Sequence, residues 1–168
     1  MTRHLGLAGV LVTTAAVSLA GCGFRLAGSE PLPTLLARPY LVLKDPYTDF
    51  SREFEHQLKG AGAQLQPQRD GSTATVEVTR DQVEQRTLAV SASNIPTEYE
   101  LTYTVTFVVQ GLPGAGKPLL EPQTISLSKD YSFNEFAQLA KEHEADILKQ
   151  QMARDLVVIA MHRLTSLK

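Results

Sequence analysis

Three patterns predict an α+β domain, a two-layer sandwich with two helices packed on one face of a roughly four-stranded, mainly antiparallel sheet. Residues 98–110 alternate in the two-residue period of a strand, with Tyr99, Leu101, Tyr103, Val105, Phe107 and Val109 on one side. Phe50, Phe54 and Leu58 recur every four residues, as one face of a short helix requires. The C-terminal segment, from Phe136 to Leu167, carries a longer apolar stripe of helical period.

The elements follow in order from residue 40. Tyr40–Lys44 reads as a strand closed by Asp45-Pro46, and Thr48 or Asp49 can cap the helix that follows. Gly60 stands where a left-handed C-terminal cap belongs. Ala63–Gln66 suggests a brief strand before the turn at Asp70-Gly71. Thr73–Val90 is β, with a bulge expected near Arg80-Asp81, where the alternation breaks. Ser91–Pro96 is a turn. On the far face of the clean strand that follows stand Glu98, Glu100, Thr102, Thr104 and Thr106, polar but uncharged in the middle. Gly111–Pro118 is a hairpin loop, and Thr124–Tyr131 returns with Ile125, Leu127, Lys129 and Tyr131 on one side. Ser132 and Glu135 fit a capping box for the long helix. Its stripe is expected to run through Phe136, Leu139, Ala140, His143 and Ile147. It then drifts to Leu148, Met152, Leu156, Ile159, Arg163 and Leu167.

Ahead of this domain, residues 1–21 have the three parts of a secretory signal: Arg3 and His4, an uncharged run from Leu5 to Ala20, and small residues before Cys22. The run is too short and too weakly apolar for a stable span. Leu19-Ala20-Gly21-Cys22 resembles the lipobox of bacterial lipoproteins, which implies lipidation of Cys22 and cleavage before it. Residues 22–39, with Pro31, Pro33 and Pro39, then read as the lipidated cysteine and a flexible tether, and 40–168 as the single domain. Cleavage removes Arg3, one of 16 Lys and Arg set against 18 Asp and Glu, and takes the net charge from −2 to −3. Such a domain has no general electrostatic case for nucleic acid. Cys22 is the only cysteine, so its lipidation leaves no thiol for a disulfide, a zinc site or a nucleophile.

Enzyme-like features are thin. Gly111-Leu-Pro-Gly-Ala-Gly-Lys117 matches seven positions of a phosphate-binding loop, but Pro118 stands where a magnesium-holding hydroxyl is needed, and a strand follows instead of a helix. Glu98 and Glu100 share a strand face with no nucleophile or proton acceptor placed beside them. His56, His143 and His162 lack the i, i+4 pairing of a metal site. No Gly-x-Ser-x-Gly elbow occurs. The expectation is a protein without catalysis, cofactor or metal.

Gly21-Cys22-Gly23-Phe24-Arg25-Leu26-Ala27-Gly28, Thr97-Glu98-Tyr99-Glu100-Leu101, Lys129-Asp130-Tyr131-Ser132, Leu139-Ala140-Lys141-Glu142, Met152 with Asp155, and Arg163-Leu164 occur in this order. Together they resemble the lipopolysaccharide-assembly lipoprotein family LptE. The resemblance implies two helices on a four-stranded sheet. It further implies an outer-membrane lipoprotein on the periplasmic side, acting as plug and assembly partner of an LptD-like β-barrel and binding lipopolysaccharide. Cations are needed near lipid A phosphates. Lys141, with Ala145 rather than an acid at i, i+4, is the first candidate; Lys129 and Arg86 follow. The alternative is a periplasm-facing scaffold of another outer-membrane barrel machine that binds no lipopolysaccharide.

Overall fold

The computed structural model describes residues 32–112, 116–134 and 138–167. The expected signal, Cys22 and the chain up to Pro31 lie outside the described residues, as do Pro113–Ala115, Glu135 and Phe136. Four strands lie side by side in chain order: β1 (Pro39–Leu43), β2 (Ala74–Val90), β3 (Pro96–Gln110) and β4 (Pro118–Ser132). Helix α1 (Asp49–Gly60) joins β1 to β2, and α2 (Gln138–Thr165) follows β4. The β2–β3 and β3–β4 pairs are antiparallel, whereas β1 runs parallel to β2. A parallel pair needs a long crossover, and the chain through α1 supplies it. The sheet is therefore mixed, and mainly antiparallel.

The fold starts before residue 40. A 3-10 turn at Thr34–Leu36 buries Leu36 completely, and the carbonyls of Ala37 and Pro39 accept from the amides of Gln64 and Gln66. The end of the expected tether is thus part of the domain, held by Leu32 and Leu36, too few to show a period. Gln66 makes a single parallel bridge with Tyr40, which is all that remains of the brief strand expected at Ala63–Gln66.

Thr48 caps α1 by accepting from the amide of Ser51 at 3.0 Å. Phe50, Phe54 and Leu58 are buried, the two rings stack 5.3 Å apart, and Phe54 meets Phe107 of β3 at 6.4 Å. The left-handed residue after the helix is Gly62 (φ 93), not Gly60, which remains helical.

The bulge falls between Val78 and Arg80, where the broken alternation places it. It changes which side chains face the helices. Val76 and Val78 point inward before it, and Asp81, opposite Val105, points inward after it. Because β1 covers only Ala74–Val78, the outer edge of β2 from Arg80 onward has no strand partner among the described residues. Strand β4 starts at Pro118, earlier than expected, because its first residues pair with β3 across two irregularities.

Ala145, Met152, Ala153, Leu156, Val157, Ala160 and Leu164 form the buried side of α2. The early part of the expected stripe is outside: Leu139 is 82% exposed, Ile147 42%, and Ala140 and His143 also face solvent. The cause is the reach of α1. Its first turn lies beside the middle of α2, with Asp49, Arg52 and Glu53 lining one cleft together with Gln150 and Arg154. The opening turns of α2 therefore run past α1 with no helix to pack on. Ser132 ends β4, and the Phe133 amide donates to the carbonyl of Thr97; Glu135, the other half of the expected capping box, lies outside the described residues.

Candidate functional site

The face of the sheet turned away from the helices carries a ladder of hydroxyls. Register sets Thr102 against Ser128, Thr104 against Ser126 and Thr106 against Thr124, with oxygen pairs at 2.9, 2.9 and 3.0 Å. Glu84, Gln82 and Arg80 of β2 continue the three rows. A hydroxyl donates once and accepts twice, so each pair keeps capacity for an outside partner. The ladder ends in a charged row. Arg86 donates to both carboxylate oxygens of Glu100, at 2.6 and 3.2 Å, with Asp130 next to Glu100 on β4. The hydrogen bond from Arg86 holds the Glu100 carboxyl below its ordinary range.

On the helix side of the same end, an aromatic cluster closes the core. Tyr99 and Tyr131 stack 5.6 Å apart, and Phe133 meets Tyr99 edge-on at 5.4 Å. The Tyr131 hydroxyl donates to Gln85 at 3.2 Å, and burial raises its ionisation above the usual value. Lys129, two residues before Tyr131, is exposed and makes no ion pair among the described residues. Lys141, near the start of α2, donates to the Ser132 hydroxyl at 3.2 Å and to Glu144 at 2.7 Å. The missing partner at i+4 is thus replaced by one at i+3. Lys129 and the Ser132 that Lys141 contacts both stand at this end of β4, whereas Arg86 stands on β2, on the face opposite Lys129 and committed to Glu100.

Asp81 is the other concentration of polar groups. Its carboxylate accepts from the hydroxyls of Thr48 and of Ser51, the latter at 3.2 Å, and it adjoins Tyr103. Burial first, and Asp81 second, push the Tyr103 ionisation well above its ordinary value. These groups join the start of α1 to β2, with neutral donors around an acceptor and no nucleophile–base pair. Two clefts of about 300 and 410 Å³ lie between the helices and beside β1, away from Arg86, Lys129 and Lys141. No three His, Cys, Asp or Glu gather for a metal among the described residues. Lys117 leads straight into β4, so the glycine-rich segment meets no helix N-terminus there. The β4 half of the hydroxyl ladder went unread in the sequence, although Thr124, Ser126 and Ser128 alternate there plainly. The aromatic cluster leaves no such pattern, because Phe133 joins it from beyond the strand.

Comparison with known proteins agrees with this architecture. The family model LptE, described as lipopolysaccharide-assembly, matches residues 40–164. The LPS-assembly lipoprotein LptE of Yersinia enterocolitica is 31% identical over 150 residues, covering 88% of this chain and 67% of the relative. The solution structure of an uncharacterized lipoprotein B from Nitrosomonas europaea superposes with a TM-score of 0.69 at 25% identity, over 86% of this chain and 91% of that one. The rare lipoprotein B of Shewanella oneidensis shares the fold, with a TM-score of 0.62 at 23% identity, over 75% and 93%.

Proposed function

The chain belongs to the LptE lipopolysaccharide-assembly family, and from that premise we propose an outer-membrane lipoprotein that plugs and helps assemble an LptD-like β-barrel and binds lipopolysaccharide on its way outward. The hydroxyl ladder carries this reading. It is a wettable, uncharged strip on a sheet face that no element covers among the described residues, and barrel lumens are polar. Lipidation at Cys22, with cleavage after Gly21, provides the membrane attachment. Cys22 lies about ten residues before the fold, a span of roughly 33 Å when extended.

For the lipid ligand, Lys129 is the readiest of the three cations. Arg86 and Lys141 would each have to leave a carboxylate before meeting a phosphate, and Lys129 has none to leave. Tyr99 and Phe133, half-buried at the rim of the cluster, give the same end some apolar surface beside the charge.

Photo-crosslinkers at Thr104 and Ser126 test the plug, with His56 on the exposed side of α1 as reference. Capture of a large outer-membrane barrel from the ladder positions in preference to His56 is the expected result. If no barrel is captured from any position, the plug reading is wrong. Capture of a barrel by a protein with no affinity for lipopolysaccharide would favour the scaffold alternative. Intact mass of the membrane form should show loss of Met1–Gly21 and added acyl mass on Cys22; a full-length unmodified product would remove the anchor.

A further inference from the structure

The end of the sheet where the described chain begins brings three cations together. Arg38 stands just before β1, Arg69 folds back across β2 and β3, and Lys117 stands just before β4. The carbonyl of Arg38 accepts from Thr73, and Arg69 donates to Thr75 and Gln110, at 3.3 Å each. Gln110 is paired with Pro118, the neighbour of Lys117. All three cations are exposed, and none makes an ion pair among the described residues. Of the other described cations, Arg52, Lys59, Arg80, Arg86, Lys141 and Lys149 are each bound to a carboxylate, whereas Lys44, Lys129, Arg154 and Arg163 make no ion pair among the described residues either. Asp70 is exposed at this end, and Glu77, half-buried, accepts from Gln110. Beside the cations, Leu112 is 58% exposed and Leu119 36%. Unpaired cations around exposed leucines are the makings of a surface that sits at a membrane interface.

We propose that this end seats on anionic phospholipid of the leaflet that holds the anchor, with Leu112 entering below the headgroups and Arg38, Arg69 and Lys117 meeting their phosphates. The proposal rests on the lipid anchor at Cys22. Leu32, where the described chain starts, packs on the core, and the Thr34–Leu36 turn leads directly to Arg38 and β1. About ten residues reach at most roughly 33 Å, less than the roughly 55 Å that the 17 residues of β2 span, so the anchor holds this end, rather than the far one, near the bilayer. The glycine-rich loop read first as a failed phosphate-binding motif thereby gains a use: Leu112 and Lys117 flank its middle and present one apolar and one cationic group to the lipid.

The chain has no tryptophan, so a Leu112→Trp variant carries a single reporter. Val90→Trp, 52% exposed at the opposite end of β2, is the reference. The mature lipidated protein is reconstituted into phosphatidylcholine vesicles with or without phosphatidylglycerol, and quenching by brominated acyl chains is read for both variants. Quenching at position 112 but not at 90, stronger with phosphatidylglycerol and weakened by salt, is expected. Each cation near an anionic surface is worth about fivefold, so neutralising Arg38, Arg69 and Lys117 to Gln, three exposed changes, should lower the ratio of seated to unseated protein about 100-fold. Vesicle flotation reads the anchor separately. A protein that floats but shows equal quenching at 112 and 90, or no response to the triple change with its circular dichroism intact, overturns the seating alone. A protein that does not float loses the anchor and this proposal with it.

Discussion

Asp81 is the residue on which α1 and β2 meet. Replacing it with Ala removes the acceptor for two hydroxyls, one of which caps the helix, and should cost about 1–3 kcal/mol in urea unfolding. Asn, which keeps one acceptor oxygen, should cost less; equal loss in both variants would show that the charge matters rather than the bonds. Tyr103 beside it titrates above its ordinary value, so the neutral form is the one the fold favours. Stability from this group is complete below about pH 10 and is lost as pH rises toward the folded-state value. Tyr103→Phe should accordingly flatten the alkaline fall in stability, read from unfolding midpoints. Neither role was legible beforehand. The extra residue of the bulge exchanges the two faces of β2, and alternation alone does not say where the exchange happens. Thr102, Thr104 and Thr106 were legible because β3 holds its alternation through them.

The lysines divide at the same scale. Lys129→Glu should weaken lipopolysaccharide binding by ten- to hundredfold, the range of a lost charge-assisted bond. Lys141→Glu should have the smaller effect on binding and also place a third acid beside Glu142 and Glu144. Binding of labelled lipopolysaccharide to both variants decides it, and a larger loss at Lys141 would return that residue to first place.

At the scale of elements, the existence and length of α2 could be read from the sequence, but its inner face could not. The period is present along the whole helix; which residues it buries depends on how far α1 extends beside it. Met152 and Leu156 were placed correctly, and Leu139 and His143 were not, because the helix runs past its neighbour before Gln150. Leu156→Ala should cost about 2–5 kcal/mol and Leu139→Ala should stay within about 0.5 kcal/mol. Urea midpoints of the two variants check this; a large loss at Leu139 in the isolated protein would mean that the early turns are packed after all. The crossover of β1 onto β2 was less visible, since a strand of five residues carries no mark of its direction.

Across the whole molecule, the two ends of the sheet differ in kind. One holds the chain's entry, the three unpaired cations Arg38, Arg69 and Lys117, and Leu112; the other holds the aromatic cluster, the single unpaired Lys129, and the exposed Leu88 and Val90. They also differ in cover. Strand β1 supports only the first residues of β2, and α1 does not reach the far end, so among the described residues the stretch from Gln82 to Val90 has β3 as its one strand partner, with the Tyr131 hydroxyl reaching Gln85 from β4. Amide hydrogens there should exchange by local opening, at rates insensitive to low denaturant. Those in the middle of β3 and in α2 from Met152 to Leu164 should exchange only when the whole domain unfolds. Native-state exchange followed by mass spectrometry would separate the two classes. The hairpin could then adapt its shape to a large partner while the core that carries the membrane-side end stays closed.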